Sequence, residues 1–299
     1  MAIMMRHSES AVKTMYETIL VGFDESNSSK AALSEAAHWI KRHGGNIILV
    51  HAVYFDEEEF GIAPDQLDRR LKVGEKVCIQ ARETLMTGFG IEADSLLCEG
   101  DPPEVILDIA KGKKADLIVL GTYGRKGLKR LLMGSVTSQV IVNAPTDVLV
   151  VKKPCTECSG AYRSILVPYD GSASSERALE RACHLSKIDN AEITALYVIP
   201  RYEEMVEFFR TSSIQQSLHL EAEKIIDKAR KLALGEGVSV KRVIKEGDAG
   251  DKIIETADLE GNDLVVMGTC GWKGMNRAIM GSSTERAIIH ATCPVLVVR

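Results

Sequence analysis

Residues 116–135 read DLIVLGTYGRKGLKRLLMGS, and residues 263–282 read DLVVMGTCGWKGMNRAIMGS. After the opening Asp, each stretch has four apolar residues in a row, Leu117 to Leu120 and Leu264 to Met267, and then breaks into a glycine-rich loop. A short continuous apolar run suits a strand buried on both faces, as in a parallel sheet with helices on either side. Within each loop, Gly-x-x-Gly is followed by nine residues and then Gly-Ser, and a helix-like run comes next. One such pattern marks a strand–loop–helix unit; two of them mark an internal duplication.

The duplication extends well beyond the loops. Residues 18–33 (TILVGFDESNSSKAAL) align with 164–179 (SILVPYDGSASSERAL) at an offset of 146. Residues 99–124 align with 246–271, both opening Glu-Gly-Asp, and 147–151 (DVLVV) align with 294–298 (PVLVV), now at an offset of 147. About one insertion therefore separates the copies. The 299 residues divide into two domains, 1–153 and 154–299, each near the commonest domain size and long enough to bury its own core. The polar segment 153–162 (KPCTECSGAY from Lys153) joins them.

Hydrophobic periodicity in the first half predicts strands at 18–23, 46–53, 91–98, 116–121 and 146–152, with helices at 28–43, 64–89, 102–113 and 134–143. The second half predicts strands at 163–169, 191–199, 238–246, 263–268 and 294–298, with helices at 174–188, 204–235, 249–260 and 281–291. Strands alternating with helices, and right-handed crossovers, lead to an α/β fold: two doubly wound domains, each a five-stranded parallel sheet with helices on both faces.

The net charge of −5 splits as −2 over residues 1–153 and −3 over 154–299, so neither half is a basic module and nucleic acid is not expected as a partner. No stretch approaches the roughly 20 apolar residues of a membrane span. The opening residues MAIMMRHSES lack the apolar core of a signal peptide, and a cytoplasmic location is expected. Seven cysteines without regular spacing do not form a disulfide framework.

In an open parallel sheet, ligands bind beyond the carboxyl ends of the strands. Three elements converge there in each half. Asp24 and Asp170 end the first strands, where a carboxylate can accept hydrogen bonds from ribose hydroxyls. Ala52-Val53 and Val198-Ile199 end the second strands, where backbone can read an adenine edge. The glycine loops follow the fourth strands. Gly121 and Gly124, with Gly268 and Gly271, allow close approach that a Cβ would block. Gly134-Ser135 and Gly281-Ser282 then open helices whose unpaired N–H groups and positive dipole end favour an anion. Ser135 and Ser282 add hydroxyls for phosphate or for capping. Arg125, Lys126, Lys129 and Arg130 supply local positive charge. The loop is neither a Walker A loop nor the dinucleotide fingerprint, since no Gly-Lys-Ser/Thr closes it and Asp24-Glu25-Ser26 follows strand one.

These marks resemble the nucleotide-binding branch of the universal stress proteins, and the chain resembles a tandem member along nearly its whole length. The resemblance implies sheet order 3-2-1-4-5 and ATP held at Asp24, Ala52, Gly121, Gly124, Gly134, Ser135 and Val136. It implies a second site at Asp170, Val198, Gly268, Gly271, Gly281, Ser282 and Ser283. It also implies a stress-response role, with AMP or ADP as alternative ligands and Mg²⁺ bridging phosphates. Many members carry Ser-His between the first two glycines, where this chain has Thr122-Tyr123 and Thr269-Cys270; the second loop has Trp272 at a basic position but keeps Lys273 and Arg277. A slow ATPase, an enzyme phosphorylating its own Ser135 or Ser282, and an interaction module holding AMP or no nucleotide are the alternative readings.

The apolar last strands DVLVV and PVLVV belong at a sheet edge, and an uncovered edge invites association. The two halves are expected to dock through them across a pseudo-two-fold axis, with a further homodimer. Asp101-Pro102-Pro103-Glu104 has the form of a capping box, and Asp248 takes the matching position. The acidic run Asp56 to Glu59 reads as a solvated surface segment or a partner-binding lid. Cys155 and Cys158 supply half a zinc site that a second chain can complete, or a redox pair, or two incidental cysteines. Cys78, Cys98, Cys183 and Cys293 read as small core residues, and His38, His51, His184 and His290 as structural.

Overall fold

The computed structural model describes residues 15–54, 64–123, 133–153, 160–200, 212–270 and 280–299. In the first half β1 (Thr18–Gly22), α1 (Asn27–His43), β2 (Asn46–Val53), α2 (Pro64–Phe89) and β3 (Asp94–Glu99) follow in order. They lead into α3 (Pro102–Gly112), β4 (Leu117–Gly121), α4 (Ser135–Asn143) and β5 (Asp147–Val151). The second half repeats the series: β6 (Ser164–Pro168), α5 (Ala173–Asp189), β7 (Glu192–Pro200), α6 (Ser212–Gly235) and β8 (Val240–Gly247). It closes with α7 (Ala249–Leu259), β9 (Leu264–Gly268), α8 (Ser282–His290) and β10 (Val295–Val298).

The strand order is β3-β2-β1-β4-β5-β10-β9-β6-β7-β8. Each half therefore has the order 3-2-1-4-5 with parallel pairing, as the resemblance implied. Side chains alternate across this sheet and build two apolar layers. Ile19, Val21, Val119, Leu149, Val167, Val266 and Leu296 face one way, with α1, α2, α5 and α6 over them. Leu20, Ile118, Val148, Val150, Leu166, Val265 and Val297 face the other, under α3, α4, α7 and α8. Both layers run unbroken from one half into the other. This explains why β4 and β9 read as continuous apolar runs: both faces are covered.

The halves join through β5 and β10, which pair antiparallel with Leu149 opposite Leu296 and Val150 opposite Val295. Leu149 and Leu296 are equivalent residues of the repeat, so the junction has the self-matching register of a local two-fold axis. The residues just beyond these strands follow the same symmetry to within one residue. Lys152 donates through Nζ to the Ile289 carbonyl at 2.6 Å, and Arg299 through Nη1 to the Ile141 carbonyl at 3.3 Å. Each cation thus meets carbonyl groups at the C-terminal end of a helix in the other half, where the helix dipole favours positive charge.

Local chemistry accounts for most element ends. Ser26 and Ser172 cap α1 and α5, accepting from Ser29 N and Ser175 N. Helix α1 stops at Gly44, with φ of 81°, and α5 at Asn190 in the left-handed region. Strand β8 begins at Val240 rather than 238, because Gly237 (φ 75°) reverses the chain and Val238 N bonds back to the Ala233 carbonyl at 2.9 Å. Those residues finish α6 instead of starting the strand. A second correction concerns Asp101: it sits at the N-cap of α3, yet its side chain makes no capping bond. Pro103 removes one of the two donors a cap can serve, leaving only the Glu104 N–H, which the Asp101 side chain does not meet. Asp248 does cap α7, accepting from Asp251 N.

Candidate functional site

Each half brings the tips of three strands side by side. Gly22 of β1 pairs with Val50 of β2, and Val21 with Val119 of β4. In the second half Pro168 pairs with Leu196 and Leu166 with Val265. Asp24 and Asp170 lie two residues past their strands on the same rim. Each is held by a tight turn: Ser26 N donates to Asp24 Oδ1 and Ser172 N to Asp170 Oδ1, both at 3.0 Å. A carboxylate offers about four lone-pair sites, and this bond orients the group toward the rim. The turn needs a left-handed residue next, which is Gly171 (φ 80°) in one half and Glu25 (φ 64°) in the other. Ala52 and Val198, both partly buried, stand near the ends of β2 and β7.

The helices that follow the glycine loops start without a side-chain cap. Gly134 (φ −63°, ψ 141°) leads into α4 and Gly281 (φ −68°, ψ 142°) into α8, and among the described residues neither helix start has a side-chain cap. The N–H groups of Ser135, Val136 and Thr137, and of Ser282, Ser283 and Thr284, have no partner within their helices. In α1 and α5, by contrast, a serine cap accepts from one first-turn amide. A helix start of this kind is an anion seat.

The seat is tied to the sheet by two bonds in each half. Gly134 N donates to the Thr122 carbonyl at 2.9 Å, and Thr137 Oγ1 to the Gly121 carbonyl at 2.7 Å. In the second half Gly281 N meets Thr269 O at 2.8 Å, and Thr284 Oγ1 meets Gly268 O at 3.1 Å. Thr137 and Thr284 were not singled out from sequence. The signal was present, since Ser-x-Thr follows the glycine in both copies.

Gly121 and Gly268 are close-approach glycines, but the approach is to protein. A Cβ at Gly121 would lie 2.6 Å from the Ser28 carbonyl carbon and 2.7 Å from Ser29 N. A Cβ at Gly268 would lie 3.0 Å from the Ser174 carbonyl carbon. These glycines let the first turn of α1 or α5 pack on the strand tip. In the first half Ser26 Oγ donates to Tyr123 O at 3.1 Å, and Ser28 Oγ also bonds to it. In the second half the Ser174 hydroxyl is buried with no partner among the described residues, as is the Thr122 hydroxyl in the first.

Gly124, Gly271, the basic residues Arg125 to Arg130, Trp272, Lys273, Arg277, the run Asp56 to Glu59, and the pair Cys155 and Cys158 lie outside the described residues. Among the described residues, no group of three His, Cys, Asp or Glu could hold a metal ion. Burial pushes the Cys183 thiol up to about 11 and that of Cys293 to about 12. His51 Nδ1 lies 2.7 Å from the Phe23 carbonyl, and His38 Nδ1 2.7 Å from Ser34 O.

The family comparison fits this geometry. The model of the universal stress protein family matches residues 15–152 and again residues 161–299. The chain belongs to the universal stress protein family. A universal stress protein of Thermus aquaticus is 39% identical over 143 residues, which is 46% of this chain and 100% of the relative. One from Methanocaldococcus jannaschii is 36% identical over 141 residues, 46% of this chain and 82% of the relative. The crystal structure of a universal stress protein from Archaeoglobus fulgidus matches with a TM-score of 0.71 over 96% of this chain and 99% of that one. At 20% identity that likeness concerns the fold of the whole tandem chain. No helix among the described residues is long and apolar enough to cross a membrane.

Proposed function

We propose that this universal stress protein binds an adenine nucleotide at two sites, one in each of the domains 1–153 and 154–299, and acts as a regulatory protein of the stress response. The observation that carries the reading is the pair of uncapped helix starts, Gly134-Ser135 and Gly281-Ser282, each tethered to the tip of a central strand. The triphosphate of ATP, or the shorter tail of ADP or AMP, would sit on the first-turn N–H groups of α4 and α8. Asp24 and Asp170 would receive ribose hydroxyls, and Ala52 and Val198 would border the base. Gly124 and Gly271 would complete the loops. Mg²⁺ would come with the phosphates rather than on a protein cage. The homodimer expected from the sequence stays part of this proposal, but it must use a surface other than β5 and β10, which cover each other.

The test exploits the geometry of the helix start. Proline at Ser135 removes one N–H donor from the seat, and Gly134 already has the extended backbone that a following proline requires. Ser135→Pro with Ser282→Pro should leave the fold intact and weaken ATP binding at least tenfold by calorimetry, whereas Ser135→Ala with Ser282→Ala keeps the amides and binds more tightly than the proline pair. Nucleotide released from denatured parent protein should be identified by chromatography. A folded proline pair that binds ATP like the parent would overturn the reading.

A further inference from the structure

The junction of the halves has a two-fold register, yet the side chains around the axis break the symmetry in charge. Arg181 on α5 occupies the repeat position of Glu35 on α1; Asp189 occupies that of His43; Pro294 occupies that of Asp147. Each of these positions meets the opposite half. Arg181 Nε lies 2.7 Å from Asp147 Oδ2, and its guanidinium stands 5.8 Å from the Tyr16 ring centre. The Asp147 side chain is 3% exposed and also accepts from Tyr16 Oη at 2.8 Å. The Asp189 side chain, wholly buried, takes Arg42 Nε at 3.1 Å and His43 Nε2 at 3.4 Å. Glu35 accepts from Tyr162 Oη at 2.7 Å.

A junction between two copies of half one would place the second Glu35 where Arg181 now stands, against buried Asp147. It would also bring His43 against Arg42 and His43. A junction between two copies of half two would leave Arg181 facing Pro294 with no carboxylate, and Asp189 facing another Asp189. Like charges or an unpaired charge in a buried contact are strongly unfavourable, and such mismatches are how interfaces reject wrong partners. The apolar stretches Val148 to Val151 and Val295 to Val298, both VLVV, offer no discrimination of their own.

We propose that the buried carboxylates Asp147 and Asp189, with their more exposed partners Arg181 and Arg42, restrict the β5 and β10 edges to each other, so that half one accepts half two of the same chain and rejects a second half one. Partner choice at this surface lies in Asp147 at the start of β5 and the helix side chains flanking the axis, while the apolar strand residues supply affinity.

The experiment compares full-length variants by urea unfolding. Arg181→Glu installs the half-one residue and recreates one contact of the like pairing; Arg181→Met only removes the charge. The unfolding equilibrium of Arg181→Glu should shift at least tenfold further than that of Arg181→Met, and the excess should vanish in an Asp147→Asn background. Should Arg181→Glu not fold, the cycle of Arg181→Met and Asp147→Asn serves instead, and the double variant should lose less than the sum of the singles. Arg181→Glu as stable as Arg181→Met, an excess that survives Asp147→Asn, or strict additivity in the cycle would each overturn the proposal.

Discussion

The two glycine types within one motif can be separated by adding a single methyl group. In Gly121→Ala the new carbon would stand 2.6 Å from the Ser28 carbonyl carbon and 2.7 Å from Ser29 N. Ordinary contact needs about 3.5 Å or more, so α1 must retreat by nearly 1 Å. The obstructing atoms are backbone in a helix turn that Ser26 caps, so no side-chain rotation relieves the clash. Overpacking of this kind costs up to about 3 kcal/mol. With a urea slope of about 3 kcal/mol per molar, at the top of the usual range, the midpoint should fall by about 1 M. Gly281→Ala is the control. Its methyl would meet Cys270 Cα at 3.4 Å and Thr269 O at 3.5 Å, which is ordinary contact. Only the poorer capping preference of alanine remains, about 0.5–1 kcal/mol, or roughly 0.3 M. Equal urea midpoints for the two variants would refute the assignment of Gly121 to packing.

Thr137→Val and Thr284→Val each remove the hydroxyl that ties a helix start to Gly121 O or Gly268 O. Each should cost about 1–2 kcal/mol in urea unfolding and weaken nucleotide binding in calorimetry; unchanged stability would show that the tether is idle. Burial raises the Glu35 carboxyl above 4.5, so its contribution is fully present at acid pH and is lost as pH rises through the raised value. Glu35→Gln keeps an acceptor for Tyr162 and should gain on the parent as pH rises above 4.5; thermal melts showing a constant difference would contradict this. Cys183 and Cys293, with thiols pushed up to about 11 and about 12, should resist a thiol reagent at pH 8 until the protein is denatured. Rapid labelling of either in the native protein, located by mass spectrometry, would count against their burial.

Much of this architecture was legible because duplication and burial leave plain traces. A strand covered on both faces must be apolar throughout, so β4 and β9 stood out, and the same trait in DVLVV and PVLVV pointed to an edge needing cover. Helix α2 ran over 64–89 as its periodicity suggested. What stayed hidden depends on atoms brought from elsewhere in the chain. Gly121 looked like a residue cleared for a ligand, while its neighbour is Ser28, 93 positions away in sequence. Thr137 looked like any helix threonine until its hydroxyl was seen on Gly121 O. Asp101 matched a capping pattern, but Pro103 removes one of the two amides a cap can serve and the side chain does not reach the other. Arg181 and Glu35 did not stand out in the sequence, because nothing local says which helix face will meet the other half.

Because β5 and β10 run antiparallel, the carboxyl ends of the strands in one half point opposite to those in the other. The two proposed pockets therefore open on opposite rims of a single slab. A five-residue strand spans about 16 Å, and the screening length in physiological salt is about 8 Å. The charge of a nucleotide bound at one rim is thus largely invisible at the other. If filling one pocket alters the second, the message has to travel as a mechanical shift along the shared strands, with Leu149 and Leu296 at the midpoint of the route.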